Sequence, residues 1–171
     1  MNFDNIYKIM QDSFPETEIC SYENQKKLLD NPNYNIRTYE KDGQVLGFIA
    51  YNRLGEFYFV EHLACQKEAR GKGIGSKLLI DILGEARSKP ILLEVEVPEN
   101  EEQKSRIKFY EKLGFFFNDF YHFQPPINEG TSGIELRIMS SLHPLNQREH
   151  KRYRRLINLN IYNVDPNFEI G

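Results

Sequence analysis

The sequence has few cysteines, no cysteine spacing typical of metal sites and no long apolar run. Its two cysteines, Cys20 and Cys65, do not form a CxxC pair, which argues against a disulfide framework and against a zinc site. No stretch approaches the roughly 18 apolar residues of a membrane span, and residues 1–20 are too charged for a signal peptide. These absences predict a cytoplasmic protein with no membrane partner and no bound metal.

Charge and length limit the function classes further. The formal net charge is −3, with 27% charged and 40% hydrophobic residues, which is ordinary for a globular domain. A chain without a strong positive balance is not an electrostatic nucleic-acid binder as a whole. We therefore expect no nucleic-acid partner for the molecule as a whole. A length of 171 residues suits one domain with one core.

Apolar periodicity and the placement of glycine and proline predict the order of elements. The order is two helices, three strands, a helix, a strand, a helix and two strands. The predicted helices and strands cover 5–14, 21–31, 36–39, 45–51, 57–65, 71–88, 91–97, 101–113, 115–123 and 133–140. A helix that crosses over between the third and fourth strands indicates an α/β fold with a mixed, mostly antiparallel sheet flanked by helices.

The chain is predicted to consist of a domain over 1–140 and a basic amphipathic helix and tail over 141–171. The cations of this helix are Arg148, Lys151, Arg152, Arg154 and Arg155. Two interpretations remain open. The helix docks on the body or on a second copy of the chain in a homodimer, with its charges in water. Alternatively, it is an arm that binds a partner or RNA.

A glycine-rich turn joins the third predicted strand to the helix that follows. Gly71, Gly73 and Gly75 stand there between the cations Arg70 and Lys72. A helix start leaves N–H groups unpaired and carries partial positive charge, and glycines allow an anion to approach that backbone closely. The pattern predicts a phosphate site. The alternative is a flexible turn with solvated charges.

Two separate motifs carry a resemblance to a known family. The stretch 61–79, with the sequence EHLACQKEARGKGIGSKLL, resembles motif A of the GNAT superfamily of N-acetyltransferases, and 109–115, FYEKLGF, resembles the end of its motif B. The Arg-x-x-Gly-x-Gly core of motif A is Arg70, Gly73 and Gly75. The resemblance covers about residues 1–140 and includes the order of the elements. It is closest to a bacterial branch in which a Gln-Pro-Pro segment, here 124–126, follows motif B.

The resemblance implies the GNAT acyl-CoA N-acyltransferase fold with splayed central strands, and acetyl-CoA (coenzyme A) as cofactor. The N–H groups that would bind the pyrophosphate are those of Gly71, Lys72, Gly73, Gly75 and Ser76. The pantetheine arm would pair with the backbone of Leu63 and Cys65, and the Leu63 N–H would stabilise the oxyanion. Gln103 stands where the family often has an asparagine that contacts the pantetheine arm.

Acyl transfer to an amine requires a base for the amine and an acid for the departing thiolate. By the same resemblance Tyr110 is the predicted acid, because it stands at the tyrosine position of motif B. The alternative is a core tyrosine beside Phe109. Cys65 is a poor candidate for an acyl-accepting nucleophile, because no base stands at a suitable spacing.

Glu61 is the predicted base. Strand alternation would place it on one face with Leu63 and Cys65, and related enzymes often carry Glu or His at the equivalent place. A half-buried carboxylate should have a raised pKa, which suits a base. The alternative is a structural glutamate, and Glu96 on the next strand is the reserve candidate. His62 would point to the opposite face and be structural.

The predicted function is transfer of an acetyl group from acetyl-CoA to a primary amine of a small molecule or peptide, by direct attack in a ternary complex. The acceptor itself is left open. Candidate residues for its pocket are Tyr22, Tyr34, Tyr121, His122 and Gln124. The alternative is a non-catalytic acyl-CoA-binding or scaffold module that acts through the basic helix and needs neither Tyr110 nor Glu61.

Overall fold

A computed structural model describes residues 1–169. Its six strands and the helices around them make a mixed, mostly antiparallel α/β fold, which confirms the predicted fold class. The chain forms two compact units, Met1–Ile91 and a second that begins at Leu92, and each is described by itself. The predicted division at residue 140 separates a family domain from a tail, and it stays a prediction.

The first unit opens with helices. α1 spans Phe3–Ser13, and the side chain of its N-cap Asn2 accepts a hydrogen bond from a backbone N–H of the first turn. α2 spans Tyr22–Lys27 and is capped in the same way by Ser21. A 3₁₀ turn over Leu28–Asp30 follows it. Short polar side chains at both N-caps satisfy N–H groups that helix starts leave unpaired.

Three antiparallel strands follow as a meander. β1 spans Tyr34–Lys41, β2 spans Gln44–Arg53 and β3 spans Tyr58–Cys65. The turn between β1 and β2 contains Asp42 and Gly43, both with positive φ, as the tight hairpin signal predicts. The predicted strands are confirmed, and β1 and β2 are longer than the apolar pattern indicated.

The two faces of this meander pack on different helices. One face and α1 share a core of Ile6, Ile9, Met10, Ile19, Tyr34, Val45, Phe48, Ala50 and Ala64. On the other face lies α3, which spans Ile74–Ala86 after a 3₁₀ turn over Lys67–Ala69. Glu85 of α3 accepts a hydrogen bond from the Tyr51 hydroxyl at 3.0 Å and pairs with Arg53. Residues of β2 therefore alternate between an α1 face and an α3 face.

The second unit contains the remaining strands. β4 begins at the end of the first unit and spans Ile91–Glu96, α4 spans Glu101–Lys112, β5 spans Phe116–Gln124 and β6 spans Ile134–Ser140. β6 pairs antiparallel with both β4 and β5. α4 begins with a capping box between Asn100 and a residue of its first turn, and this stabilises the helix start.

The end of the described chain is docked on the second unit. α5 spans Gln147–Ile157 and continues into a π-helical turn over Asn158–Tyr162. The inner face of α5 buries His150, and the Tyr162 hydroxyl donates a short hydrogen bond to Glu94 of β4. These contacts support the interpretation of the basic segment as a docked helix. Among residues 1–169, no helix combines the length and the apolar character that a membrane span requires.

Candidate active site

The turn before α3 presents backbone N–H groups. Gly71 has φ +76° and Gly73 has φ +78°, a left-handed conformation that glycine adopts without steric cost. No side chain caps α3, and the first bond of its ladder runs from the Lys77 N–H to the Gly73 carbonyl oxygen at 3.0 Å. The N–H groups of residues 74–76 precede that ladder. Together with the positive end of the helix dipole they make the turn suited to an anion.

The side chains of this turn are cationic and solvated. Arg70 and Lys72 are exposed, and the Arg70 guanidinium lies 3.5 Å from the Ser13 hydroxyl oxygen of α1. The sequence predicted that this helix begins at Gly71, but α3 begins at Ile74. The difference arises because the two left-handed glycines delay the helical conformation. The later start leaves a longer stretch of turn backbone available to a ligand.

The backbone of β3 also has polar groups that do not pair with β2. The Gln66 N–H donates to the Leu46 carbonyl oxygen at 2.8 Å, and the Cα partners that follow are Gly47 with Cys65 and Ile49 with Leu63. Hydrogen-bonded and non-hydrogen-bonded pairs alternate in an antiparallel ladder. The N–H and C=O groups of Leu63 and Cys65 therefore point away from β2.

Cys65 lies where β3 meets the start of α3. Burial raises the pKa of its thiol, although a backbone hydrogen bond from Gly75 and the charge of Arg70 act in the opposite direction. The group is a thiol rather than a thiolate near neutral pH. This agrees with the low expectation for Cys65 as an acyl-accepting nucleophile.

Glu61 sits in a bulge of β3. Ala50 pairs with His62 and the next residue of β2, Tyr51, pairs with Val60, so Glu61 is the extra residue. Its carboxylate oxygen Oε2 accepts a hydrogen bond from Asn52 Nδ2 at 2.7 Å. Asn52 lies two residues after Ala50 on β2 and therefore on the same, α1 face. The sequence predicted that Glu61 shares a face with Leu63 and Cys65, and this prediction was wrong. The bulge turns its side chain toward the α1 face.

Buried polar groups surround this carboxylate. The Cys20 N–H donates to Gln25 Oε1 at 3.3 Å, and Gln25 Nε2 donates to the Tyr34 hydroxyl at 3.1 Å. Burial and the charge of Glu61 raise the pKa of Tyr34, and the same two causes raise the pKa of Cys20. Both groups are therefore neutral near pH 7.

His62 lies on the α1 face as well, because its Cα partner is Ala50 of the core shared with α1, so the prediction that it points away from Glu61 was wrong. Its ring packs edge-on against Phe14 at a centroid distance of 4.9 Å, and its Nε2 lies 2.7 Å from the Glu18 carbonyl oxygen. These contacts fasten the segment between α1 and α2 to β3. We therefore interpret His62 as a structural residue.

Tyr110 lies near the end of α4 in the second unit. Its ring packs edge-on against Phe109 at 5.1 Å and Phe115 at 5.9 Å. Burial raises the pKa of Tyr110 to about 12, with the Arg106 charge acting in the opposite direction. The phenol is therefore protonated at neutral pH and able to donate a proton.

Glu96 and Gln103 are bonded to each other. Gln103 Nε2 donates to Glu96 Oε2 at 2.9 Å, and Arg106 Nη1 donates to Glu96 Oε1 at 2.7 Å. The side-chain oxygen Oε1 of Gln103 accepts from the N–H groups of Glu99 and Asn100. These bonds fasten the start of α4 to β4. They occupy the side chain of Glu96, the reserve candidate for the base, and that of Gln103, the predicted pantetheine contact.

A buried acid–histidine–tyrosine cluster was not found from the sequence. Glu94 accepts short hydrogen bonds from both His122 and Tyr162. The rings of His122 and His150 lie perpendicular at a centroid distance of 6.3 Å. Burial lowers the pKa of His150 to about 4, helped by the nearby charges of His122, Arg154 and Arg137. No local sequence signal links Glu94 to Tyr162, because 68 residues separate them.

The residues suggested for an acceptor pocket fall in both units. Tyr34 and His122 are buried and hydrogen-bonded as described. The Tyr22 hydroxyl donates to Asp4 at 2.5 Å, Tyr121 is 43% exposed and Gln124 is buried. Among residues 1–169, no group of three or more His, Cys, Asp or Glu side chains could hold a metal ion.

Comparison with known proteins identifies the family. Residues 3–115, more than half of the chain, match the Acetyltransferase (GNAT) family. The chain belongs to this family. The match covers both regions of resemblance, from the strand before the glycine-rich turn to the end of motif B, and confirms the resemblance seen in the sequence.

Individual relatives agree. YjbC of Bacillus subtilis (strain 168), assigned by name as an acetyltransferase, is 31% identical over 113 residues, which are 65% of this chain and 56% of YjbC. The matched region thus spans little more than half the length of that relative. A structure assigned to the GNAT family from Bacteroides thetaiotaomicron has a TM-score of 0.85 and 29% identity, and covers 95% of this chain and 93% of its own.

A more distant structure shows the same fold. An aminoglycoside 6′-N-acetyltransferase complexed with coenzyme A has a TM-score of 0.59 at 16% identity, over 84% of this chain and 92% of its own.

Proposed function

We propose that the protein is an acetyl-CoA-dependent N-acetyltransferase that acts on a primary amine of a small molecule or peptide. The observation that carries the proposal is the uncapped start of α3, with left-handed Gly71 and Gly73 at its turn. In a chain of the GNAT family this turn fits the diphosphate of coenzyme A. The distant aminoglycoside enzyme, whose structure contains coenzyme A, is consistent with the same cofactor.

The first unit would hold most of the cofactor. The diphosphate would accept hydrogen bonds from the N–H groups of Gly71, Lys72, Gly73, Gly75 and Ser76, with the Gly75 N–H exchanging its bond to the Cys65 sulfur. The exposed cation of Arg70 adds charge attraction. The pantetheine arm would pair with the N–H and C=O groups of Leu63 and Cys65, which point away from β2. The Leu63 N–H would then donate to the thioester oxygen as it becomes an oxyanion.

Glu61 is the proposed base. Its carboxylate takes a proton from the substrate ammonium, directly or through water, and the neutral amine attacks the thioester carbonyl carbon. A C–N bond forms, and the resulting tetrahedral intermediate collapses as the C–S bond breaks. Glu96 is the weaker candidate, because its two carboxylate oxygens are bonded to Gln103 and Arg106.

Tyr110 is the proposed acid. Its phenol gives a proton to the departing thiolate and recovers one from the nitrogen of the new amide. The sum is an ammonium and a thioester converted to an amide, a thiol and one proton, and no covalent enzyme intermediate is needed. A pKa of about 12 keeps this phenol protonated and ready to donate.

Gln103 is the least supported of the proposed cofactor contacts. Its side-chain amide serves the capping box of α4 and Glu96, so contact with a pantetheine arm requires that one of these bonds be exchanged. Substitution of Gln103 by Ala should weaken acetyl-CoA binding only if that exchange takes place.

The alternative of a non-catalytic acyl-CoA-binding or scaffold module has less support. It assigns no task to a protonated Tyr110 or to a Glu61 held by Asn52. Its proposed binding element is α5, whose inner face is docked on the second unit.

An amine panel with acetyl-CoA and thiol detection tests the activity. The panel should include free amino acids, polyamines, aminoglycosides and peptides with free N-termini, because the acceptor is open. We expect thiol release that depends on one class of amine and falls in Glu61→Gln. No amine-dependent thiol release, from folded protein that binds acetyl-CoA, would favour the non-catalytic module.

A further inference from the structure

A buried asparagine lies in the last part of β2, directly beside the bulge. Asn52 is 4% exposed, although asparagine is depleted in strands and burial of an amide is unfavourable unless it is hydrogen-bonded. Its Cα partners are Tyr34 of β1 and Phe59 of β3. A polar side chain at such a position requires a bonding partner, and the structure provides a carboxylate.

The partner is Glu61, the extra residue of the bulge. Asn52 Nδ2 donates to Glu61 Oε2 at 2.7 Å, a length typical of hydrogen bonds to charged acceptors. A bulge residue is not held by the regular alternation of the ladder, so its side chain needs another contact to fix its direction. Asn52 supplies that contact.

The surroundings favour a preorganised carboxylate. Gln25 is 1% exposed and Tyr34 is 5% exposed, and they are bonded to each other beside Asn52. Their hydrogen bond continues to the Cys20 N–H at the start of α2. Tyr34 is also the β1 partner of Asn52, so this buried polar chain ends beside the Asn52–Glu61 pair.

We propose that Asn52 is a positioning residue that aims the Glu61 carboxylate and stabilises its charged form. The inference rests on the proposed function, in which Glu61 is the base. Donation of an amide hydrogen to the carboxylate favours the ionised state, so Asn52 keeps Glu61 able to accept a proton at a lower pH. It also restricts rotation of the carboxylate, which fixes the direction from which the substrate ammonium is deprotonated.

The test is the pH dependence of turnover with the amine found in the panel. Asn52→Leu removes the donor at similar volume, and Asn52→Asp also places a second carboxylate beside Glu61. We expect the acidic limb of kcat to move to higher pH by about one unit in Asn52→Leu and further in Asn52→Asp. We expect kcat at neutral pH to fall about tenfold, with little change in KM for acetyl-CoA.

Asn35→Asp is the matched control. Asn35 is a half-buried residue of β1 whose amide donates to the Asn33 carbonyl oxygen at 2.8 Å, and it pairs with Tyr51 on the α3 face. The same charge change there should leave the pH profile unchanged. Thermal melting of each variant shows whether it is folded, and a ¹³C titration of the Glu61 carboxyl measures the shift independently of turnover.

A double-mutant cycle separates this inference from the proposed function. If Asn52 acts through Glu61, then Asn52→Leu added to Glu61→Gln should cause no further loss of kcat. A large loss of kcat in Glu61→Gln, together with an unchanged pH profile of kcat in folded Asn52→Leu, overturns the positioning role of Asn52. That result leaves Glu61 as the base. Unchanged turnover in Glu61→Gln overturns the role of Glu61, and the inference fails with it.

Discussion

A Cβ atom on Gly47 of β2 would lie 2.9 Å from Cγ2 of Ile74, the first residue of α3. It would also lie 3.0 Å from the Cys65 sulfur and 3.2 Å from the Ala64 carbonyl oxygen. Real Cβ atoms essentially never approach another atom to 2.9 Å, and the other two distances are tighter than most real Cβ contacts, so a larger residue at position 47 would require the start of α3 or its neighbours to shift. The position of the glycine-rich turn therefore depends on a residue of another strand.

Gly47→Ala should move the start of α3 away from the sheet. We expect a loss of stability of about 1–3 kcal/mol from overpacking and a weakening of acetyl-CoA binding of at least tenfold, measured by thermal melting and calorimetry. Gly55→Ala is the control, because a Cβ atom there meets nothing within 4 Å. Equal acetyl-CoA affinity in Gly47→Ala and Gly55→Ala would contradict the claim that the position of the glycine-rich turn depends on Gly47.

Tyr110→Phe should slow the chemical step without weakening cofactor binding. The variant keeps the ring packed between Phe109 and Phe115 and removes only the hydroxyl group. We expect kcat to fall by about 10²–10⁴-fold, with the Kd for acetyl-CoA within about twofold of the original. Steady-state kinetics and calorimetry on the same preparation check both. An unchanged kcat would show that another group protonates the thiolate.

The stability of the second unit should depend on pH through His150. Its pKa is about 4 in the folded chain, against the usual 6.5. The unfolded chain therefore takes up a proton at this site first as the pH falls. Stability should be full above pH 6.5 and decrease toward pH 4, by about 2–3 kcal/mol at most for this group.

His150→Phe separates this effect from general acid unfolding. The substitution suits a site against the Phe120 ring, 5.0 Å away. Urea unfolding at pH 7, 5.5 and 4.5 should show a smaller pH dependence in His150→Phe than in the original protein. His143→Gln, at an exposed position, should leave it unchanged. The same pH dependence in all three proteins would contradict the assignment.

Deletion of residues 141–171 should destabilise the protein. The deletion removes buried Leu145, His150 and Ile157 and leaves Glu94 without its Tyr162 partner, and removing one partner of a buried polar pair is costly. We expect loss of cooperative melting or a large drop in Tm, measured by circular dichroism. A stable truncated protein that still binds acetyl-CoA would instead support the basic segment as a separate partner-binding arm.

The sequence alone predicted the order of elements because that order depends on local signals. Periodicity defines α1 and α3, and glycine and proline mark the turns between elements. The start of α3 at Ile74 was missed by three residues, because the left-handed conformations of Gly71 and Gly73 become known only with the backbone. The glycine-rich turn itself was recognised, since its motif is contiguous in sequence.

The environment of Glu61 could not be predicted from the sequence, and the reason is physical. A bulge inserts one residue without a reliable local signature, and it reverses the face that alternation assigns to Glu61. Asn52 lies just outside the predicted strand 45–51, because the apolar run ends at Tyr51. An asparagine after such a run is the only sequence signal that could have drawn attention to it. Contacts between distant segments, such as Glu94 with Tyr162, have no local signal at all.

Calorimetric titration with acetyl-CoA tests the central claim most directly, namely that the start of α3 holds the cofactor diphosphate. Gly73→Ala changes the left-handed residue at that start, and Gly43→Ala makes the same change in the β1–β2 hairpin at nearly the same φ, +76° against +78°. The account predicts a micromolar Kd for the original protein and for Gly43→Ala, and binding at least tenfold weaker for Gly73→Ala. Absence of saturable heat with millimolar acetyl-CoA on folded protein, or equal affinity in the two variants, would contradict it.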